Sequence, residues 1–197
     1  MSEFTRVSRI KPQISPNRRL SFYASIFGEI APITERDASG KLVSYREVIA
    51  PGAFTDALSS TAEVIANIDH DPAQTFARRS SGELLLQEDP HGLFASCYLP
   101  PGEFGDSIIR RVESGELDGC SFRFGAVKDR TNGDLVERLS VTLADVCICR
   151  NAVAAYHETE VHLRQNLELK KLFSRMRMVK IKQRILDSNN KRGIVES

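Results

Sequence analysis

The 197-residue sequence lacks several features that would assign it to a broad class of protein. No run approaches the ~18 apolar residues of a membrane-spanning helix, so we expect no membrane span. The formal net charge is only +1, which gives the chain as a whole no electrostatic attraction to nucleic acid or to a membrane surface. The amino terminus carries no long apolar stretch, and we expect no secretory signal.

Cysteine is scarce, and its spacing does not fit a common type of metal site. The four cysteines lie at positions 97, 120, 147 and 149, which does not match the paired CxxC spacing of a zinc site. We therefore expect reduced thiols in a cytoplasmic compartment, with no metal ion and no cofactor.

Composition divides the chain into three predicted regions. Residues 1–19 are polar and contain two prolines, which is typical of a flexible arm. Residues 20–163 alternate between strand-like apolar runs and turn signals, and we expect them to form the folded domain. Residues 164–197 are strongly basic with apolar residues at helical spacing, which predicts a basic amphipathic helix or, equally, a solvated helix with one charged face.

The middle region predicts about seven strands and one or two helices. The alternating segments at residues 22–27 and 43–49 are predicted to pair with each other. Asn132-Gly133 predicts a hairpin turn, and a helix is expected between Asp106 as its cap and Gly115 as its end. The pattern favours a mainly β (α+β) fold, a closed or nearly closed β-barrel with helices packed outside.

Three residues near strand ends carry the groups that nucleophilic acyl transfer requires. His70 follows the predicted strand 64–68, Ser121 lies in a strand that begins at residue 117, and Asp145 lies in the apolar run 139–149. A serine hydroxyl attacks only when a base takes its proton, and a third group helps to orient that base. Structural interpretations remain open: His70 could cap its strand, and Ser121 could be a small strand residue. A buried Asp145 should be paired.

Cys120 is a rival nucleophile because it is adjacent to Ser121. Neighbours in a strand point to opposite faces of the sheet, so only one of the two can face a site. Packing in the core is the favoured interpretation for Cys120. His157 is left open as another partner for the nucleophile.

Four ordered motifs within residues 20–163 resemble one known family. They are Glu-Val-Ile-Ala-Pro-Gly-Ala-Phe at 47–54, Asn-Ile-Asp-His-Asp at 67–71, Gly-Cys-Ser-Phe-Arg-Phe at 119–124 and Leu-Ala-Asp-Val-Cys-Ile at 143–148. In this order they resemble the prohead maturation proteases of tailed bacteriophages, which are related in fold to the herpesvirus assemblins. The resemblance implies a serine endopeptidase in which His70 is the base, Ser121 the nucleophile and Asp145 the orienting acid.

The chain departs from the family pattern at four positions. Arg123 stands at a usually small residue and Asp145 at a usual glutamate, while Ala77 replaces a glycine and Val153 a frequent proline. None of these changes removes a catalytic group. Because aspartate is one methylene shorter than glutamate, the distance that Asp145 must span to His70 becomes critical. Arg123 could narrow the cleft or add positive charge to it.

The resemblance also implies where the oxyanion is stabilised. Backbone amides near Ser121 are the expected donors. Assemblin-like enzymes recruit an arginine as well, and Arg150 and Arg123 are the two candidates here. Cys120 and Phe122 are expected to lie beside the cleft.

The family setting implies partners inside the procapsid, in the cytoplasm of the host bacterium. The expected substrates are the scaffold or amino-terminal segment of the major capsid protein, and the protease itself by autocleavage. We expect a homodimer or a larger self-assembly, and no binding of membrane or nucleic acid. The basic tail would dock on an acidic scaffold segment or be removed by self-cleavage.

Three alternative functions remain open from the sequence. The chain could be a catalytically inactive capsid assembly or scaffolding protein that keeps the protease fold. It could be a nucleic-acid-binding module that works through its basic tail, with an affinity that falls steeply as salt rises. It could also be a cysteine hydrolase that uses Cys120. The activity of such an enzyme would be retained in Ser121→Ala and lost in Cys120→Ala.

Overall fold

The computed structural model describes residues 3–8, 11–37 and 39–150, and these form eleven strands and two α-helices. The predicted basic tail, Val153 and His157 lie outside these residues. The strands are β1 (Glu3–Ser8), β2 (Gln13–Ile14), β3 (Arg19–Ile26), β4 (Ala31–Arg36), β5 (Leu42–Ile49), β6 (Ile65–Ile68), β7 (Ala77–Arg78), β8 (Leu84–Glu88), β9 (Gly92–Tyr98), β10 (Leu117–Asn132) and β11 (Leu135–Arg150). The helices are α1 (Thr55–Ser59) and α2 (Glu103–Glu113), and a short 3-10 turn spans Pro72–Gln74.

The larger sheet is organised around β11, which pairs with three other strands. Its strand order is β1-β10-β11-β5-β4, with β6 on β11 and β7 on β6. The first part of β11 runs parallel to β5, and its last part, Asp145 to Ile148, runs parallel to β6. The other edge of β11 pairs with β10 in an antiparallel hairpin that turns at the predicted Asn132-Gly133. Residues from β6, β10 and β11 therefore meet at one place.

The smaller sheet has the order β2-β3-β9-β8 and shares one core with the larger sheet. In β3 the apolar residues Leu20, Phe22 and Ala24 are buried, as expected for a strand with one face in a core. Phe122 and Phe124 of β10 belong to the same buried cluster. Burial of each such aromatic or aliphatic side chain contributes about 1.5–3 kcal/mol, so this core holds the two sheets together.

The mainly β class is confirmed, but the closed barrel of about seven strands is not what the described residues form. They form two open sheets of seven and four strands, and β1 and β4 end the path of the larger sheet without pairing with each other. The sequence missed β1, β2, β4 and β7. β2 and β7 have only two residues each, and β4 contains Pro32, a residue that is rare within strands, so their signals in the sequence are weak.

Two local predictions also differ from the structure. The segments predicted to pair with each other, now β3 and β5, lie in different sheets: β3 pairs with β2 and β9, whereas β5 pairs with β4 and β11. The predicted flexible arm, residues 1–19, contributes β1, β2 and the start of β3. Both differences arise because strand pairing depends on partners far away in the sequence.

Helix α2 begins earlier than its predicted cap. Gly102 takes the cap position, and Asp106 lies inside the helix, where its carboxylate pairs with the Arg18 guanidinium. Gly115, with φ +76°, follows the end of the helix as predicted. Among the described residues, no helix is long and apolar enough to cross a membrane.

Candidate active site

His70 is presented by a tight turn at the end of β6. Asp69 and His70 both adopt left-handed backbone conformations, with φ of +52° and +59°. This conformation costs roughly 1–2 kcal/mol for a residue with a side chain. Two hydrogen bonds offset part of that cost: the Asp71 amide donates to the Ile68 carbonyl at 2.9 Å, and the Asp69 amide donates to the Ile148 carbonyl at 3.1 Å.

Arg150 braces this turn from the end of β11. Its backbone amide donates to Asp69 Oδ1 at 3.1 Å, and its Nε donates to Asp69 Oδ2 at 3.3 Å. The guanidinium is thus directed to a surface carboxylate beside the histidine. Sequence reasoning had considered Arg150 for the oxyanion, and the structure shows it holding the turn that carries His70.

His70 lies between Ser121 and Asp145. Its Nε2 is 2.7 Å from Ser121 Oγ, and its Nδ1 is 2.5 Å from Asp145 Oδ1. An ionised carboxylate can only accept, so Nδ1 carries a proton and Nε2 of the neutral ring is left to accept one. In this order the three groups can deprotonate a hydroxyl and stabilise the imidazolium that results.

The register of the β10–β11 hairpin explains why these groups share one face of the sheet. Ser121 lies opposite Cys147, and Arg123 lies opposite Asp145. Alternate residues of a strand face the same side, so Ser121 and Arg123 of β10 look to the same side as Asp145 and Cys147 of β11. The left-handed turn after β6 then brings His70 over them.

Arg123 contacts two of the three groups. Its guanidinium is 3.0 Å from Asp145 Oδ2 and donates to the His70 carbonyl at 3.0 Å. Asp145 is only 4% exposed, and a buried carboxylate requires such partners. Sequence reasoning had considered Arg123 for the oxyanion, whereas in the structure it fixes the acid and the turn. No local pattern predicted this contact.

The comparisons with known proteins identify the family. A family model described as the caudovirus prohead serine protease matches residues 8–172. The chain belongs to this family. It is therefore a serine protease of bacteriophage capsid maturation.

One solved structure with a similar fold is the bacteriophage T4 capsid assembly protease, gp21. It shares 14% sequence identity, with 71% of this chain and 98% of that chain covered, at a TM-score of 0.39. No curated protein matches the chain at a significant level.

The two other predicted neighbours of the cleft lie on the opposite face of β10 from Ser121. Cys120 is fully buried in the core, and burial raises the pKa of its thiol well above the ordinary value. Phe122 packs against Phe54 and Phe124. A thiol with a raised pKa is a poor nucleophile, and it is Ser121 whose Oγ lies 2.7 Å from His70 Nε2, so the geometry favours Ser121 over Cys120.

Cys147 lies opposite Ser121 in the register of the β10–β11 hairpin. A hydrogen bond with Cys149 and burial both raise the pKa of Cys147, so its thiolate is also disfavoured.

Among the described residues, no group of three or more His, Cys, Asp and Glu side chains is arranged to hold a metal ion.

Strand β1 lies beside the serine. It pairs antiparallel with β10, Val7 lies opposite Ser121, and Ser121 is 0% exposed. Ser121 Oγ also lies 2.7 Å from the carbonyl oxygen of Arg6, to which it can donate. Sequence reasoning missed this contact because polar residues and prolines at the amino terminus predict a flexible arm.

Proposed function

We propose that Ser121, His70 and Asp145 are the catalytic triad of this serine endopeptidase. The observation that carries the proposal is the continuous chain of hydrogen bonds at 2.7 Å and 2.5 Å from Ser121 through His70 to Asp145. The substrates we propose are the scaffold or amino-terminal segment of the major capsid protein and the protease itself. The reaction takes place inside the procapsid, in the cytoplasm of the host.

The mechanism follows from the order of the three groups. His70 Nε2 takes the Ser121 proton while Oγ bonds to a peptide carbonyl carbon, and the imidazolium then gives that proton to the departing amine. The result is an acyl-enzyme, in which Ser121 carries the amino-terminal part of the substrate, and a released carboxyl-terminal product with a new amino terminus. Water, deprotonated in turn by His70, breaks the ester and restores the Ser121 hydroxyl.

Asp145 and Arg123 prepare His70 for this task. Asp145 holds the Nδ1 proton, which selects the tautomer and stabilises the imidazolium. Although aspartate is one methylene shorter than the family's usual glutamate, its Oδ1 comes within 2.5 Å of His70 Nδ1. Arg123 occupies the other carboxylate oxygen at 3.0 Å, so the acid cannot rotate away from the ring.

Backbone amides near Ser121 are the oxyanion donors that we propose. Both candidate arginines are held by carboxylates, Arg123 by Asp145 and Arg150 by Asp69. The direction of a backbone amide is fixed by its strand, so the amides on the β1 edge of β10 need no reorganisation when a substrate takes the place of β1 and charge develops on its carbonyl oxygen. For association we propose a homodimer or a larger self-assembly together with the procapsid components.

Intact-mass analysis of the full chain, co-expressed with its capsid protein, tests this function. We expect discrete truncations of the capsid protein with the native chain and none with Ser121→Ala. Ser25→Ala is the matched control, since Ser25 is another buried serine but lies in β3 of the smaller sheet. Cys120→Ala should cleave like the native chain. Truncations that persist in Ser121→Ala but vanish in Cys120→Ala would replace the proposal with a cysteine hydrolase.

A second candidate is an inactive assembly protein that keeps the protease fold. The observation that favours it is the complete burial of Ser121, whose hydroxyl also lies 2.7 Å from the Arg6 carbonyl oxygen of β1. Full-length masses for both the native chain and Ser121→Ala, with capsid protein still bound, would support this candidate over the triad.

A further inference from the structure

Strand β1 has the position that an extended peptide substrate would take. It is the edge strand of the larger sheet and pairs with β10 from Glu3 opposite Gly125 to Ser8 opposite Cys120. Addition of a strand to a sheet edge is a common way to bind an extended peptide, with main-chain hydrogen bonds for affinity and pockets for alternate side chains. Here the edge belongs to the strand that carries Ser121.

The Arg6 carbonyl is the group of β1 that meets the nucleophile. Its oxygen lies 2.7 Å from Ser121 Oγ, as His70 Nε2 does on the other side. A hydroxyl has one proton and cannot donate to both acceptors at once. With neutral His70, the seated strand therefore competes for the proton that the base must remove.

The Arg6 side chain enters a buried anionic pocket. Its Nε lies 2.5 Å from Glu47 Oε1 and its second terminal nitrogen lies 3.0 Å from Glu47 Oε2, so the contact is bidentate. The same nitrogen donates to the Tyr45 hydroxyl at 3.1 Å. Glu47 is 0% exposed, and the Arg6 guanidinium lies over the rings of Phe4 and Phe124. Such a fork-to-fork contact is specific for a planar cation.

Three carboxylates line the pocket that Arg6 enters. Arg138 also binds Glu47, at 2.8 Å, and reaches Asp129 at 2.6 Å. Glu35 accepts from Tyr45 at 2.6 Å and contacts Arg6 at 3.4 Å. Within the described part of the chain, the carboxylates of Glu35, Glu47 and Asp129 therefore surround the site of the Arg6 guanidinium, which favours a replacement cation over an apolar or acidic side chain.

We propose that β1 is a substrate-like occupant of the cleft, and that substrates replace it with an extended segment whose arginine or lysine enters the Glu47 pocket. This inference rests on the proposed function, because it names the substrate class of that same site. The guanidinium of arginine fits the bidentate contact best. Lysine supplies the charge without the fork.

Peptide binding tests the proposal without requiring catalysis. The probe is a fluorescent peptide with the sequence Glu-Phe-Thr-Arg-Val-Ser, and its control carries norleucine in place of arginine. Both are titrated by anisotropy against full-length Ser121→Ala, with and without Arg6→Ala. We expect Arg6→Ala to bind the arginine peptide at least tenfold more tightly than the norleucine peptide, and tenfold more tightly than the protein that keeps Arg6.

A matched control variant and a second measurement distinguish an effect on peptide binding from a folding defect of the Arg6→Ala variant. Arg36→Ala removes an exposed arginine from β4 and should leave peptide affinity unchanged. Hydrogen exchange is followed in Ser121→Ala with Arg6 intact: residues 3–8 should lose protection at saturating arginine peptide and keep it with the norleucine peptide. Equal binding of both peptides, no binding, or unchanged protection of residues 3–8 would each overturn the proposal.

Cleavage of a mixed peptide library separates this inference from the proposed function. Ser121-dependent cuts enriched at one position for arginine and lysine, with the enrichment lost in Glu47→Gln, would support both. Ser121-dependent cuts without basic preference would overturn only the Glu47 pocket. Selective binding of the arginine peptide without any cleavage would support the pocket and overturn the triad.

Discussion

At the scale of single residues, the site depends on how one carboxylate is shared. Asp145 gives one oxygen to His70 and the other to Arg123. Two charged or polar donors fix the orientation of a buried carboxylate. Their hydrogen bonds also offset most of the free-energy cost of removing the carboxylate from water. The position of His70 therefore depends on Arg123, which contacts both Asp145 and the His70 carbonyl.

Asp145→Asn should lower kcat by about 10⁴-fold, since the amide cannot hold the Nδ1 proton in the same way. The measurement is steady-state cleavage of a fluorogenic peptide by the full chain. Asp71→Asn, a change to another aspartate at the same turn, is the control and should cost less than tenfold. A loss below tenfold in Asp145→Asn would contradict the role of Asp145.

Arg123→Gln should lower kcat about ten- to a hundredfold with KM nearly unchanged, because a hydrogen bond to a charged group contributes about 1.5–3 kcal/mol. Arg123→Lys keeps the charge and should recover part of the loss. Thermal unfolding followed in parallel separates positioning from stability. If KM rises while kcat holds, Arg123 contacts substrate and does not position the acid.

The sequence was sufficient for His70, Ser121 and Asp145 as candidates because each lies in a local motif at a strand. It was insufficient for Arg123 and Arg6, because their contacts follow from strand register. Arg6 and Ser121 lie 115 residues apart, and no local pattern encodes that meeting. The sequence shows that Arg123 departs from the family pattern, but it does not show what Arg123 contacts. Its two partners, Asp145 and the His70 carbonyl, are set by the β10–β11 hairpin and by the turn after β6.

At the scale of elements, long strands were predictable and their partners were not. The alternation in β3 and β5 marks each as a strand, but it does not say which strand lies beside it. β4, with Pro32 and polar residues, escaped prediction although it is the true neighbour of β5. The apolar stripe of α2 predicts the helix, but the predicted start is wrong. Asp106 pairs with the Arg18 guanidinium inside the helix, and Gly102 is the cap.

Gly105→Ala in α2 should destabilise the protein by about 1–3 kcal/mol, although alanine normally stabilises a helix relative to glycine. A Cβ at this position would lie 2.0 Å from the Pro100 carbonyl oxygen. Urea unfolding gives the free energy of unfolding for both chains. Ser107→Ala, on the same helix, should change it by less than about 0.5 kcal/mol. Equal stability of Gly105→Ala and the native chain would show that the backbone at residue 100 can move aside.

At the scale of the whole molecule, the described part of the chain buries all four thiols. Burial raises the pKa of Cys97 to about 12, and it raises the pKa of Cys120 above its ordinary value. In the unfolded chain these thiols ionise near pH ~8.5. Above that pH the unfolded state releases protons that the folded state retains, so the free energy of unfolding falls as pH rises.

Cys97→Ala should therefore reduce the alkaline loss of stability. A buried thiol whose pKa is raised, as that of Cys97 is, contributes a slope of about 1.4 kcal/mol per pH unit above its unfolded pKa, up to its folded pKa. Urea unfolding at pH 7.5, 9 and 10 under reducing conditions measures the slope. We expect a shallower slope between pH 9 and 10 in Cys97→Ala. The same slope in both chains would mean that Cys97 ionises as easily in the folded protein as in the unfolded one.

The pairing of β1 with β10 also has a consequence for the order of synthesis. β1 leaves the ribosome before β10, which carries Ser121, as the 115-residue separation of Arg6 and Ser121 shows. Pairing across such a distance closes late in folding. In a newly made chain, the Ser121 hydroxyl can therefore meet the Arg6 carbonyl only after β10 has been synthesised, and the β1–β10 pair is among the late contacts of the fold.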